Sequence, residues 1–485
     1  MKLKKLFVAC FCAATLIPVP ACGGHTHEYA DGFSFDDTYH WKNATCCENA
    51  IGEKEMHDYA NGTCTVCQCD IADAAFKYEA FGIGVNKTLT LEFANSAFIK
   101  NVTYSTTSSL ITLGSDSGEV SGVALGCAEV LANVTYVDDT TSTTTCKVEV
   151  NNGALETTSL ESNFVKWVGR NFVYNQSVNC FNTTSGFETI FYGTELTAKL
   201  TSGGSQTPRI CVLVDEATSP SEKIIDLSKN NEKQDVVLAS GLTEGYHTVK
   251  VYKITEAAHN SLSVNSLQTD GYFHAKPATK SLKIEVYGDS ISTGYKNLKP
   301  LFEHDDNVIN EGNQNGCLTY AWLTAQNLNA EINVMAHAGI GLNYSQGFDY
   351  LMRDAWDDTY CSAKDFLGYG NVNPAWDFNN YTADIAIVNI GTNDYYINAS
   401  SMSGAYRDSL VQLCKDLLKK HGNDLKIVFV YGLMTSGNAE VLEDIASRQD
   451  NVYAIELDKS NQGHPTASEH ASAATALTQF IKGIL

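Results

Sequence analysis

Two kinds of hydrophobic pattern divide the chain. From about residue 73 to 150, apolar and polar positions alternate, as in "KTLTLEF", "VTYSTTSSLITLG", "AEVLANVTYV" and "CKVEV". Alternation with a period of two predicts short antiparallel strands that bury one face. Residues 163–280 alternate again, in "VKWVGRNFVY", "SGFETIFYGTELTAKL", "PRICVLVDE", "QDVVLASGL" and "YHTVKVYKIT", with Gly, Ser and Asn between the runs. These predict the strands of a second β-sandwich, a jelly-roll. From residue 281 the pattern changes. "SLKIEVY" (281–287), "INVMA" (332–336), "ADIAIVNIG" (383–391), "LKIVFVYG" (425–432) and "VYAIEL" (452–457) are continuous apolar runs. Such runs suit strands covered on both faces. Between them, 318–329, 404–422 and 471–485 carry apolar residues at helical spacing, and Gly422 stops the second of these segments. Strands alternating with helices predict a parallel sheet with helices on both faces.

Composition sharpens this picture. At 485 residues the chain is too long for a single core. Acidic residues outnumber basic ones 56 to 33, a formal charge of −23. That surface repels nucleic acid and anionic lipid, and no basic run interrupts it. The first residues read MKLKKLFVACFCAATLIPVPAC. A basic start and a short apolar stretch predict an export signal over 1–22, so the rest is expected to be secreted. Val19-Pro20-Ala21-Cys22 resembles a bacterial lipoprotein box, which implies a lipid anchor on Cys22; Pro20 fits that pattern poorly, and ordinary cleavage after Ala21 is the alternative.

Residues 23–70 concentrate cysteine and histidine, with a C-x-x-C knuckle at Cys64 and Cys67. Cys46, His57, Cys64 and Cys67 make a candidate structural zinc set, since soft thiolate and imidazole ligands suit tetrahedral zinc. A disulfide-stapled module explains the same cysteines equally well.

Parallel sheets place their sites at the carboxyl ends of strands, and the chemically suggestive residues fall there. Ser290 follows the first strand, Gly339 the second and Asn393 the third, while His464 follows the last. A hydroxyl needs a base and oxyanion donors to act as a nucleophile. A serine, a glycine N–H, an asparagine amide and a histidine are the parts for acyl transfer. Each also has a plainer reading: a turn serine, a tight-turn glycine, a loop-capping amide and a surface histidine.

"GDS" at 288–290, Gly339, "GTND" at 391–394 and "GHP" at 463–465 resemble the four blocks of the SGNH (GDSL-type) hydrolases, in order. With "WVGR", "GYHTVKVYKITEA", "IEVYGDSISTGY" and "PAWDF" added, 160–485 more closely resembles carbohydrate esterase family 2, in which a jelly-roll precedes the SGNH domain. Residues 71–152 resemble a bacterial Ig-like domain of group 2, carried by "GEVSGVALG". The expected organisation is therefore multidomain. It comprises a Cys/His-rich segment (23–70), an Ig-like β-sandwich (71–152), a β jelly-roll (160–280) and a three-layer α/β SGNH domain with a flavodoxin-like parallel sheet (281–485).

The resemblance implies an acetyl esterase acting on acetylated polysaccharide of the xylan or glucomannan type. Ser290 would be its nucleophile and His464 its base. The oxyanion hole would comprise Ser290, Gly339 and Asn393, and catalysis would need no cofactor. Many SGNH enzymes carry Asp three residues before the histidine; here Asn461 stands there, with Asp458 nearby. A Ser–His dyad is the expectation. Tyr295, Trp376, Tyr395 and Tyr396 are candidates to stack on sugar rings, or equally to pack loops. The competing functions are another SGNH esterase, a lipase, thioesterase or peptidoglycan O-acetyl esterase, and a non-catalytic adhesin or carbohydrate-binding protein.

Overall fold

The structure, a computed structural model, describes residues 26–36, 38–47, 50–228, 231–298, 313–362, 373–461 and 463–485. The expected export signal and Cys22 lie outside the described residues. The chain forms two compact units. One comprises Met1–Lys77, Phe93–Thr103 and Ala132–Thr144; the other comprises Tyr78–Glu92, Tyr104–Leu131 and Thr145–Leu485.

In the first unit, Ser34–Phe35, Tyr39–Trp41 and Glu55–Met56 form a small antiparallel sheet, and Tyr59–Ala60 pairs with Thr63–Cys64 in a hairpin. The long strand Gly126–Tyr136, whose residues divide between the units, alternates buried and exposed positions along most of its length, as its period of two predicts.

The second unit holds the larger elements. Residues 154–275 build two antiparallel sheets. Asn260–Thr269 is central to one, and Gly186–Gly193 pairs with Gly245–Lys253 in the other. The core between them includes Phe187, Phe191, Leu200, Val251, Leu262 and Phe273.

The five apolar runs after residue 281 form one parallel sheet. Its strands are Lys283–Gly288, Glu331–Ala336, Ile385–Asn389, Lys426–Tyr431 and Val452–Glu456, laid down in the order second, first, third, fourth, fifth. This order reverses direction beside the first strand, which is where α/β sheets open a crevice. Alternate residues feed two cores. Ile284, Val286, Ile332 and Val334 pack with Ala321, Ala325, Leu477 and Ile481 on one face. Tyr287, Met335, Val388 and Phe429 pack with Leu410, Leu413 and Leu442 on the other.

The helices Tyr320–Asn327 and Arg407–His421 lie within the segments whose periodicity predicts them, and Gly422 closes the second by donating its N–H to the Leu418 carbonyl. The last helix, Ala467–Ile484, starts four residues before the apolar periodicity does. Thr466 and Glu469 form a reciprocal capping box that fixes its start. Helix Ala439–Ala446 is not among the segments singled out from the sequence, although Val441, Leu442 and Ile445 bury one face at helical spacing.

One buried cluster joins the antiparallel sheets to the parallel one. Glu285 sits fully buried in the first parallel strand. Arg170, also buried, donates from Nε to Glu285 Oε1 at 2.9 Å and from Nη2 to the Tyr287 hydroxyl at 3.0 Å. Its Nη1 donates to the carbonyl oxygens of Trp356 and Asp358. Tyr287 donates to Glu285 Oε2 at 2.8 Å, and His421 Nε2 stands 3.0 Å from the same oxygen. Burial alone would raise the Glu285 carboxyl; the Arg170 charge and these contacts reverse that and hold it down at about 2.

Removing Arg170 leaves a buried carboxylate without its counter-charge. Arg170→Met is expected to destabilise the second unit by about 3–5 kcal/mol, read by chemical denaturation. The depressed carboxyl also sets a pH window. Its contribution is present above the ordinary value near 4.5 and is lost as pH falls toward about 2. Glu285→Gln should therefore flatten the dependence of unfolding free energy on pH across that interval.

Candidate active site

The first parallel strand ends at Gly288, and Asp289 turns the chain. The Asp289 carboxylate accepts the Ile291 N–H at 3.0 Å and caps a one-turn helix, Ser290–Thr293. Ser290 is thus the first residue of a helix, where backbone N–H groups have no partner in the helix itself. Burial pushes the Asp289 carboxyl up to about 7, against the pull of its Ile291 and Thr392 hydrogen bonds.

His464 arrives from the loop after the last strand. Its Nε2 lies 2.8 Å from Ser290 Oγ, although 174 residues separate the two along the chain. The Tyr295 ring packs against the imidazole with centroids 4.8 Å apart. Asp458 is exposed. Asn461 is exposed too and gives its backbone N–H to Glu469 Oε1 at 3.1 Å. Glu469 is the same residue that caps the last helix, so Asn461 belongs to that cap. The other nearby histidine, His470, is buried in the helix and accepts the Tyr320 N–H on Nδ1 at 3.1 Å. Burial pulls it down to about 3, so it is a neutral packing residue.

Gly339 follows the second strand in the left-handed region, at φ 83°. A Cβ there would also press on Phe348 at 3.3 Å, so both backbone and space favour glycine. Asn393 lies in the first turn of Thr392–Asn398, after the third strand. One N–H of its amide is committed to the Ile340 carbonyl at 2.7 Å, next to Gly339. That anchor leaves the amide a second N–H. Asp394 beside it accepts the N–H groups of Leu342, Asn343 and Tyr344 at 2.8, 2.7 and 3.0 Å. It therefore ties the loop after the second strand to the helix after the third.

Glu256, in the "ITEA" stretch of the sandwich, is not singled out by the sequence. It is buried, and its Oε2 accepts the Ala338 N–H at 2.8 Å, immediately before Gly339. It lies three residues beyond the strand Gly245–Lys253, inside the quoted block "GYHTVKVYKITEA", which is its signal in the sequence. Lys253 beside it is also buried and donates to the carbonyls of Phe181, Thr255 and Glu256. The sandwich thus anchors the loop that carries Gly339.

The candidate aromatics separate. Tyr295 lies at His464, and Tyr396 is 61% exposed on the Asn393 helix. Tyr395 packs against the core beneath that helix. Trp376 lines a groove of about 690 Å³ with Lys283 and Glu331, the residues that begin their strands. It therefore sits at the end of the sheet away from Ser290. In the Cys/His-rich segment, His57, Cys64 and Cys67 come together, but Cys46 does not join them. It groups instead with His27 and Cys47, and His40 takes the fourth place.

The chain has relatives. Residues 167–277 match the family model of the carbohydrate esterase 2 N-terminal domain. The cellulase/esterase CelE of Acetivibrio thermocellus is 31% identical over 329 residues, which cover 63% of this chain and 38% of that protein. The chain thus spans well under half of that relative. An acetylxylan esterase / glucomannan deacetylase of Cellvibrio japonicus is 26% identical over 316 residues, covering 61% of this chain and 82% of it. Among solved structures, a family two carbohydrate esterase from Clostridium thermocellum, in complex with cellohexaose, aligns at a TM-score of 0.58 and 27% identity over 66% of this chain and 98% of that one. A family two carbohydrate esterase from Cellvibrio japonicus shares the fold, at a TM-score of 0.60 and 22% identity over 68% and 97%. The class to which these likenesses point is the SGNH-type carboxylic ester hydrolases. Within it, the chain is similar to the acetyl esterases of carbohydrate esterase family 2.

His464→Ala is expected to lower kcat on an activated acetyl ester by about 10³–10⁴-fold. Asn461→Ala should cost less than about tenfold, because its backbone makes the cap contact. Equal, near-total losses would mean that Asn461 orients the imidazole. Asn393→Ala should lower kcat by about 10²–10³-fold with little change in KM.

Proposed function

We propose that this chain is a serine esterase that removes O-acetyl groups from polysaccharide of the xylan or glucomannan type. The observation that carries the reading is the 2.8 Å contact between His464 Nε2 and Ser290 Oγ at the carboxyl end of the parallel sheet. With Nε2 unprotonated, the Ser290 hydroxyl donates to it. As Oγ attacks the acetyl carbonyl, its proton passes to His464. The tetrahedral oxyanion is met by the N–H groups of Ser290 and Gly339 and by the second N–H of the Asn393 amide. The imidazolium then protonates the sugar oxygen as its bond to the acetyl carbon breaks, releasing the sugar hydroxyl and leaving an acetyl-enzyme on Ser290. Water, deprotonated by His464, attacks that ester and releases acetate and the free serine. A dyad suffices in this scheme; no carboxylate is assigned to the ring.

The substrate class follows from the polysaccharide esterases that the chain resembles. Tyr396, exposed three residues after Asn393, is part of the reading as a sugar-stacking ring. Export, with anchoring through lipidated Cys22, completes the proposal and rests on the first 22 residues.

Acetate release from acetylated xylan, glucomannan and peptidoglycan, with Ser290→Ala as control, tests the reaction and the substrate together. Release from the two plant-type polysaccharides that Ser290→Ala abolishes is the expected result. Release from peptidoglycan alone would move the activity to cell-wall deacetylation, and a preference for long acyl chains would make the chain a lipase-type enzyme. Tyr396→Ala should raise KM severalfold on polysaccharide while leaving hydrolysis of a small acetyl ester near its starting rate.

A further inference from the structure

The Cys/His-rich segment is assembled from short pieces. Its strands are two or three residues long, and large apolar side chains remain on its surface, with Phe35 54% and Met56 69% exposed. Elements this short gain from a cross-link between them.

Such a cross-link is visible in how the pieces meet. His40 lies on the middle strand of the sheet, His57 just after its third strand, Cys64 at the end of the hairpin and Cys67 in the turn that follows. One ligand atom from each lies within 4.8 Å of all the others. His40 Nδ1 and His57 Nδ1 are 3.4 Å apart, Cys67 Sγ and His57 Nδ1 3.4 Å, and Cys64 Sγ and His40 Nδ1 3.9 Å. Bond lengths of about 2.0–2.1 Å to nitrogen and about 2.3 Å to sulfur give a tetrahedral zinc site edges of about 3.3 Å between nitrogens and about 3.5 Å between nitrogen and sulfur. The observed edges agree within a few tenths of an ångström. His40 and Cys64 are both buried, so the cluster is shielded from water on that side.

The imidazole orientations point the same way. His57 Nε2 lies 2.9 Å from the Asp36 carbonyl oxygen. A carbonyl only accepts, so Nε2 carries the proton and Nδ1 turns a lone pair toward the cluster. A carbonyl or carboxylate behind the outer nitrogen is the usual support of a metal-bound histidine. His40 Nε2 stands 3.8 Å from Glu55 Oε2, beyond hydrogen-bond distance, so the support is seen at His57. The His57 Nδ1 lone pair faces His40 Nδ1 across 3.4 Å, with the sulfurs of Cys64, Cys67 and Cys69 within 4 Å of one or other of these nitrogens. A cation at the centre satisfies all four groups at once.

We propose that residues 26–70 bind one zinc ion through His40 Nδ1, His57 Nδ1, Cys64 Sγ and Cys67 Sγ. The ion ties the sheet to the hairpin. On binding, the two thiols each lose a proton to solvent and four bonds to zinc form, with no change of oxidation state. All four positions are filled by protein, which makes the site structural. Cys69 lies beside it, its Sγ 3.2 Å from Cys67 Sγ, and the Cys46 group of His27 and Cys47 stays separate.

Elemental analysis of the full chain, purified without chelators, tests this. One zinc per chain is expected, lost in Cys64→Ser and in Cys67→Ser and kept in Cys46→Ser. Cobalt substitution should give the visible bands of a tetrahedral site together with thiolate-to-cobalt charge transfer. His57→Cys should keep the ion and strengthen the charge-transfer band through a third thiolate, a readout that does not depend on the serine variants folding. A disulfide joining Cys64 and Cys67 in the purified chain would overturn the proposal. So would loss of the ion in Cys46→Ser as complete as in Cys64→Ser, or the absence of cobalt bands.

Discussion

The buried ion pair of Arg170 and Glu285 is the constraint on which the second unit turns. A carboxylate in the middle of a parallel strand would be strongly destabilising on its own. Here a guanidinium from the antiparallel sandwich reaches it, and Tyr287 and His421 complete its contacts. Arg170 also donates from Nη1 to two backbone carbonyls, those of Trp356 and Asp358. The pair therefore joins sandwich, sheet and loop at one point. Desolvation of both charges opposes their attraction, so what the pair contributes here is chiefly the fixed placement of three segments.

That join matters for the crevice at the other end of the same strand. Ser290 lies just beyond the strand that carries Glu285, and the loop carrying Gly339 is held from two sides. Glu256 of the sandwich takes the Ala338 N–H, and Asp394 takes three more, from Leu342, Asn343 and Tyr344. An oxyanion site needs donors fixed before the charge develops. In the proposed esterase, these carboxylates would supply that rigidity from outside the set of groups that touch the ester. Sandwich and parallel sheet thus act together around the crevice.

Much of this is legible in the residues. Continuous apolar runs mark the doubly covered strands, since burial on both faces removes alternation. Ser290, Gly339, Asn393 and His464 each sit after a strand, so the rule that sites open at carboxyl ends gathers them from chain order alone. Less is legible where short-range chemistry decides. The capping box of Thr466 and Glu469 lengthens the last helix, and Glu469 also draws in Asn461, whose spacing from His464 suggests a role beside the imidazole. Trp376 shows the limit of proximity in sequence: it stands in a family block, yet it lies at the far end of the sheet.

Periodicity and chain order depend only on neighbours along the chain. For that reason the residues alone establish the alternation of elements, the parallel sheet and the identity of the groups at its strand ends. Which partners meet is settled in three dimensions. The 2.8 Å contact of Ser290 with His464 closes 174 residues, and the reach of Arg170 to Glu285 closes 115. In the Cys/His-rich segment, folding puts His40, not Cys46, beside His57, Cys64 and Cys67. Each of these is a distance in space, set by how sheets pack and hairpins turn, and a one-dimensional pattern does not encode it.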